Sequence, residues 1–112
     1  MKVVVVLLAA GASSRMGTPK QLLPFGERTV MRQGVHNLRE AGVEATVVVL
    51  GHHADVIRRE APDVLTAPDV SEAWNARHAG GMFTSVQCGI QAASDLGAGV
   101  ALLALVDQPF VP

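Results

Sequence analysis

Three apolar runs, each followed by a glycine or an aspartate within two residues, constrain the fold of this chain most. The first, Lys2 to Ala9, contains four consecutive valines. Runs that are apolar on both faces are typical of strands in the middle of a sheet, and β-branched valines favour a strand over a helix. Ala45 to Leu50 and Val100 to Val106 repeat that character. We therefore predict three strands, with the first at the centre of a sheet covered on both sides.

Helical periodicity lies between these strands. Thr29 to Ala41 carries apolar residues at helical spacing and precedes Gly42, which predicts an amphipathic helix with a glycine stop. A short helix is predicted around Ala54 to Glu60, and a longer one is predicted to end at Gly97 and Gly99. The inner stripe of that longer helix is predicted to be Val86, Ile90 and Ala93.

Two intervening stretches have weaker signals. Val64 to Thr66, after Pro62, is predicted as a short strand. The segment APDVSEAWNARHAGGM, residues 67–82, is polar and marked by proline and glycine, so we predict a long functional loop. Strands that alternate with helices predict an α/β fold. We expect a three-layer, Rossmann-like, mainly parallel sheet with right-handed crossovers and helices on both faces.

Composition sets further limits. The 112 residues suffice for one domain, 1–112, and nine basic against ten acidic residues leave a formal net charge of -1. Because so balanced a charge gives no strong overall field, we expect neither nucleic acid nor a membrane as a partner. A secretory signal is the competing interpretation of the first run, which is at the short end for one, and the strand is preferred. The single cysteine, Cys88, cannot form an internal disulfide, which favours a cytoplasmic location.

The glycine-rich segment after the first strand predicts a ligand site. In parallel α/β sheets, ligands bind beyond the carboxyl ends of the strands. Three polar or glycine-rich segments are expected at that edge: Gly11 to Lys20, Gly51 to Asp55 and Asp107 to Pro109. We predict that they converge on one site.

The first of these segments matches neither common nucleotide-binding loop. A dinucleotide fingerprint requires a glycine where Ser13 stands, and a P-loop requires four residues rather than five between Gly11 and Gly17. Its glycines, Arg15 and Lys20 suit a flexible polyanion such as a nucleoside triphosphate. The alternative is that both cations are ordinary solvated loop residues.

These residues carry a family resemblance. LAAGASSRMGTPKQLLP, starting at Leu8, resembles the signature loop of the nucleotidyltransferases that include molybdenum cofactor cytidylyltransferase. GGMFTSVQCGI and LALVDQPFV resemble two further segments of the family, in the family's order. The opening Ala-Ala-Gly and the Asp-Gln pair resemble the cytidylyl branch more than the guanylyl branch. The PKQ tripeptide is also similar to the cytidylyltransferases of isoprenoid synthesis.

The resemblance implies roles for matching positions. Arg15, Lys20 and Asp107 would be catalytic, with Arg15 and Lys20 on the triphosphate and Asp107 on Mg²⁺. Nucleotide contacts are implied for these two cations and for Ala9, Ala10, Gly11, Asn75, Gly80, Gly81 and Ser85. The structural alternatives are turn and helix-start roles for the last four and a turn role for Asp107. His52 and His53 lack a third metal ligand, and neither Trp74 nor Cys88 receives a chemical role.

The implied reaction is magnesium-dependent transfer of CMP from CTP to a phosphorylated acceptor such as the molybdenum cofactor, with release of pyrophosphate. Family members continue well beyond Pro112, so we expect an amino-terminal portion or a truncated domain whose uncovered sheet edge would permit oligomer formation. The alternatives are a noncatalytic nucleotide-binding fragment or interaction module, and a sugar-phosphate or isoprenoid nucleotidylyltransferase.

Overall fold

A computed structural model of the chain describes residues 2–11, 14–15, 18–22, 24–25 and 28–105. In chain order its elements are β1 (Val3–Ala9), β2 (Ser14–Arg15), β3 (Thr18–Pro19), β4 (Pro24–Phe25), β5 (Arg28–Thr29), α1 (Val30–Glu40), β6 (Ala45–Leu50), α2 (Ala54–Glu60), α3 (Pro62–Leu65), β7 (Val70–Trp74), α4 (Met82–Asp95) and β8 (Val100–Leu105), with 3₁₀ turns at Lys20–Leu22 and His78–Gly80.

Within the described part of the chain, the main sheet has four strands in the order β7-β6-β1-β8, and their pairings are all parallel. β1 lies inside the sheet, with Val6 opposite both Val47 of β6 and Leu103 of β8. The predicted parallel sheet and its three apolar strands are therefore confirmed. Val106, the last residue of the third predicted strand, lies outside the described residues.

Helices cover both faces of this sheet, as predicted. On one face, alternate β1 side chains such as Val5 and Leu7 pack with α1, α2 and α3 residues, including Met31 and Ile57. On the other face, the intervening side chains of β1 and β6 pack against α4. Each fully buried aliphatic side chain contributes about 1.5–3 kcal/mol through removal from water. Two apolar layers around one buried strand thus account for the three-layer architecture.

The ends of α1 follow from local sequence. Thr29 caps its amino end, because its side-chain oxygen accepts a hydrogen bond from the Arg32 N–H at 3.3 Å. Gly42 follows its carboxyl end with φ = +83°, a conformation that glycine adopts at little cost. The predicted helix from Thr29 to Ala41 is confirmed within one residue at each end.

The short strand predicted at Val64 to Thr66 is wrong. Those residues belong to α3 and its end, because Pro62 occupies a first-turn position where its fixed φ favours a helix. The predicted loop over residues 67–82 is wrong in part, since β7 lies within it. β7 is an edge strand with exposed Glu72 and Trp74, so its polar composition concealed it.

The predicted inner stripe of α4 is also partly wrong. Ser85, Gly89 and Ala93 are the buried residues, whereas Ile90 is 47% exposed. A Cβ atom added at Gly89 would lie only 2.2 Å from Val6 Cγ1. The glycine therefore lets the backbone of α4 approach the sheet closely. At this short distance only small residues fit on the side of the helix that faces the sheet.

β8 occupies the other edge of the sheet. Leu102 and Leu103 point to opposite faces, and each is about half exposed.

Among the described residues, no helix has the length and apolar character needed to cross a membrane.

Candidate active site at the carboxyl edge of the sheet

Three strands end in one row at the carboxyl edge of the sheet. Ala9 pairs with Leu50, and Leu50 pairs with Trp74, so the segments that follow β1, β6 and β7 leave the sheet side by side. Leu105 pairs with Leu8 one row earlier. This register brings the Gly11 segment together with the segments after β6 and β7.

A turn from Ala9 to Gly11 forms the centre of this edge. Ala9 and Ala10 are buried, whereas Gly11 is exposed. The Gln21 side chain donates from Nε2 to the carbonyl oxygen of Ala9 at 2.7 Å and to that of Gly11 at 3.3 Å. The backbone N–H of His52 points at the carbonyl of Ala10, with 3.5 Å between N and O. The turn is therefore held from two sides.

Gly51 determines how closely the neighbouring segments approach this turn. A Cβ atom at Gly51 would lie 2.7 Å from His78 Cβ and 2.9 Å from both Cβ and the carbonyl oxygen of Ala10. Two of these atoms belong to Ala10, so a side chain at position 51 would displace the end of β1. Glycine here is required for packing, and it puts His78 next to the candidate nucleotide turn.

The predicted phosphate-binding segment folds back on itself. β2 and β3 pair antiparallel, with Ser14 opposite Pro19 and Arg15 opposite Thr18. Lys20 then starts a 3₁₀ turn that leads to the buried Gln21. The backbone thus turns back toward the end of β1 instead of entering an α-helix directly after the glycine-rich segment.

Asn75 connects the end of β7 to the start of α4. Its backbone N–H donates to the carbonyl of Leu50 at 2.7 Å, and its buried side-chain Nδ2 donates to Thr84 Oγ1 and Ser85 Oγ, both at 2.9 Å. Its Oδ1 accepts from the Arg77 N–H at 3.0 Å, an Asx-type turn. The side chain therefore has polar partners on three residues of the loop and helix.

Thr84 extends this network to the two predicted glycines. Its Oγ1 lies 2.8 Å from the carbonyl oxygen of Gly81 and 2.9 Å from that of Arg77. Gly81 has φ = +94° and ψ = -178°, a conformation essentially restricted to glycine. A Cβ at Gly80 would lie 3.0 Å from Thr84 Cγ2. The structure therefore brings Asn75, Gly80, Gly81 and Ser85 together at the beginning of α4.

A cavity of about 350 Å³ lies beside this network. It is lined by Gly51, His52, Ala54, Asp55, Arg58, Trp74 and His78. The His52 ring meets the rings of His53 and His78 edge on, with centroids 4.7 and 5.7 Å apart. Trp74 is 56% exposed at its rim.

The charge in this cavity is largely balanced. Arg58 forms ion pairs with Glu72 and, at 3.8 Å, with Asp55. The hydrogen bond to Glu72 raises the pKa of Arg58 above its ordinary value. Because its charge is already matched by carboxylates, Arg58 adds little attraction for a phosphate group.

The predicted metal ligand is Asp107, near the end of the chain. Among residues 2–105, excluding the gaps given above, no group of three or more His, Cys, Asp or Glu side chains is arranged to hold a metal ion. Asp107 and the rest of residues 106–112 lie outside the described residues. β8, the last described strand, ends at Leu105, which pairs with Leu8 near the carboxyl edge of the sheet.

Sequence reasoning missed Gln21 and Thr84. Their side chains bind backbone groups of the predicted nucleotide segments, and such contacts leave no periodic pattern in the sequence. The available signal was membership of the family-like segments: Gln21 ends the PKQ tripeptide, and Thr84 lies in GGMFTSVQCGI.

Comparison with known proteins supports the family resemblance that the sequence motifs indicated. Residues 5–112 match the family of MobA-like NTP transferase domains. The chain is 36% identical over 93% of its length to nicotine blue oxidoreductase of Paenarthrobacter nicotinovorans, covering 48% of that protein. It is also 36% identical over 93% of its length to a probable molybdenum cofactor guanylyltransferase of Rhodopirellula baltica, covering 47% of that protein.

A solved structure shares the fold. A nucleotidyl transferase from Methanothermobacter thermautotroptrophicus superposes with a TM-score of 0.79 at 32% identity, over 98% of this chain and 52% of the other. The predicted family resemblance and fold class are confirmed. The chain spans about half the length of each of these three proteins.

Proposed function

We propose that this chain, which belongs to the family of MobA-like NTP transferase domains, binds a nucleoside triphosphate at the carboxyl edge of its sheet and takes part in nucleotidyl transfer. The observation that carries the proposal is the convergence of the Ala9–Gly11 turn with the Asn75–Ser85 network at one edge. Both segments came from motifs that the family resemblance singled out.

The base and ribose are assigned to the Ala9–Gly11 turn and to the Gly80–Gly81 segment. Backbone groups of a turn can approach a ligand closely where side chains are small or absent. Gly11 is exposed, and nothing lies within 4 Å of a Cβ atom built on it. Asn75 has its side-chain amide engaged with Thr84 and Ser85, so it would border the base by holding this segment in place.

The triphosphate is assigned to Arg15 and Lys20. A guanidinium binds two phosphate oxygens at once, and an ammonium supplies a compact point charge. In nucleotidyl transfer, the acceptor's own phosphate oxygen attacks the α-phosphate of the nucleotide, the new P–O bond forms, and pyrophosphate leaves with the electrons of the broken bond. Positioning and charge stabilisation by these side chains therefore matter more than a protein nucleophile.

Mg²⁺ is assigned to Asp107, whose carboxylate is a ligand type that this cation prefers. When bound, the ion would neutralise phosphate charge. Because the described residues offer no three-carboxylate or histidine cluster, further ligands would come from the nucleotide, from water or from other parts of the protein.

CTP is our proposed nucleotide, because the Ala-Ala-Gly triplet and the Asp-Gln pair resemble the cytidylyl branch of the family. A phosphorylated compound such as the molybdenum cofactor is our proposed acceptor. Two relatives of equal identity to the chain carry different activities in their names, so family membership does not fix the acceptor. A cytoplasmic location belongs to the same proposal.

Titration calorimetry with CTP, GTP and UTP in the presence of Mg²⁺ tests binding, and pyrophosphate release with candidate acceptors tests transfer. Arg15→Ala and Lys20→Ala should each lose roughly 2.7–4 kcal/mol of transition-state stabilisation, comparable to removal of one preorganised donor. Arg59→Ala is the matched control, because Arg59 is an exposed residue of α2 whose partner is Glu60. Binding without pyrophosphate release would favour the noncatalytic alternative, and wild-type turnover in both cation variants would contradict their roles.

A further inference from the structure

Gln21 is a buried polar residue placed between two parts of the candidate site. It is 2% exposed, and it follows Lys20 directly in the chain. Its Nε2 donates to the carbonyl oxygens of Ala9 and Gly11, at 2.7 and 3.3 Å. One side-chain amide therefore connects the predicted phosphate-binding segment to the turn that is assigned to base and ribose.

These two bonds fix the orientation of the turn. A peptide unit is planar, so a carbonyl held in one direction also sets the direction of the N–H on the following residue. The bond to the Ala9 carbonyl thus orients the N–H of Ala10, while the His52 N–H approaches the Ala10 carbonyl from the other side. The carbonyl oxygens of Ala9, Ala10 and Gly11 all face donors of the protein.

The oxygen of the Gln21 amide, Oε1, is not satisfied by the described residues in this arrangement. Oε1 is buried and has no hydrogen-bond partner within the described part of the chain. Such an orphaned acceptor is destabilising, and the opposite amide orientation would set Oε1 against two carbonyl oxygens. An apolar side chain of similar size would avoid the orphaned acceptor, but it would leave the carbonyls of Ala9 and Gly11 without this donor. The glutamine therefore keeps two carbonyl oxygens of the turn bonded and oriented, while its own Oε1 has no partner among the described residues.

We propose that Gln21 is a positioning residue of the nucleotide site, acting through the carbonyls of Ala9 and Gly11 to present the turn to a nucleoside triphosphate. This inference rests on the nucleotide-binding function proposed above. Because Gln21 acts through backbone carbonyls of the turn, we expect its effect on nucleotide affinity.

The decisive variant is Gln21→Met, which keeps the length of the side chain and removes both donors. Calorimetry with CTP and with GTP, each with Mg²⁺, should give a Kd about tenfold weaker than that of the wild type for the nucleotide that binds. Gln91→Met is the matched control, because the Gln91 amide makes an exposed bond to Asp95 on α4, and its Kd should be unchanged. A Gln21→Met protein with a lower melting temperature but unchanged Kd would overturn the proposal.

A measurement on the wild-type protein covers the case in which Gln21→Met does not fold. In NMR spectra, the side-chain amide signals of Gln21 and the backbone amide signals of Ala10 and Gly11 should shift together as CTP or GTP is added. Saturable nucleotide binding with none of these signals shifted would overturn the role of Gln21 and leave the proposed function standing. Absence of binding by the wild type to both nucleotides would instead refute the proposed function, and the positioning role with it.

Discussion

The side-chain amide of Asn75 donates a hydrogen bond to Ser85 Oγ at 2.9 Å, and this buried bond joins the end of β7 to the first turn of α4. The same amide donates to Thr84 Oγ1, while Oδ1 accepts from the backbone of Arg77. One side chain thus determines where the helix begins relative to the sheet edge.

Asn75→Ala should therefore destabilise the protein by about 1–3 kcal/mol, because it leaves the buried Ser85 hydroxyl and the half-buried Thr84 hydroxyl without their donor. Urea unfolding monitored by circular dichroism measures this loss. Gln91→Ala is the control, since it removes an exposed side-chain bond and should change stability by no more than about 0.5 kcal/mol. Equal effects of the two substitutions would contradict a special role for Asn75.

Gly89→Ala should destabilise the protein by about 1–3 kcal/mol, because the new methyl group would overlap Val6 and Val49 in a closely packed layer. Gly34→Ala provides a matched comparison inside α1, where the nearest atom, Leu7 Cδ2, would lie at an ordinary 3.9 Å. It should stabilise the protein by about 0.5–1 kcal/mol through helix propensity. Chemical unfolding of both variants checks the opposite signs, and a stabilised Gly89→Ala variant would refute the close helix-to-sheet contact.

The ion pair between Arg39 and Asp69 should make stability depend on pH. Arg39 donates from two nitrogens to both carboxylate oxygens, at 2.7 and 2.8 Å, and the hydrogen bond to Arg39 lowers the pKa of Asp69. A carboxyl whose pKa is lower in the folded state stabilises the fold above its unfolded-state value of about 3.9. That contribution is lost as the pH falls through the lower folded-state pKa.

Asp69→Asn should accordingly reduce stability at pH 7 by about 1 kcal/mol or less, since the pair is partly exposed. The difference from the wild type should shrink as the pH falls below about 4. Urea unfolding at pH 7 and at pH 3 measures it. A difference of the same size at both pH values would rule out the ion pair as its cause.

Cys88 should react slowly with thiol reagents in the folded protein. Its Sγ lies 3.7 Å from the carbonyl oxygen of Trp74, and burial raises the pKa of the thiol, while the charge of Arg77 opposes that shift. Because the thiolate is the reactive form, alkylation by iodoacetamide at pH 8 should be slower than in the protein unfolded by guanidinium. Arg77→Ala should slow it further, and a faster reaction in that variant would contradict the assigned charge effect.

Much of the fold was predictable from local pattern. The strands at Val3–Ala9 and Ala45–Leu50 have continuous apolar sequences, and α1 has both a helical period and end signals at Thr29 and Gly42. β7 was not predictable from its sequence. It is an edge strand that, among the described strands, pairs only with β6, so it is partly exposed and contains polar residues such as Glu72. Periodicity also favoured Ile90 over Gly89 as a core position, since it measures hydrophobicity and not the distance between backbones.

By itself, the sequence determined the α/β class, the edge of the sheet that carries the glycine-rich turn, and the family to which the chain belongs, because these depend on residue order and short motifs. Only the tertiary structure decided that Gln21 binds the turn at Ala9 and Gly11 and that Asn75 holds the start of α4. Those contacts join residues 10 or more positions apart, and their formation depends on how the sheet and helices pack, which no local pattern records.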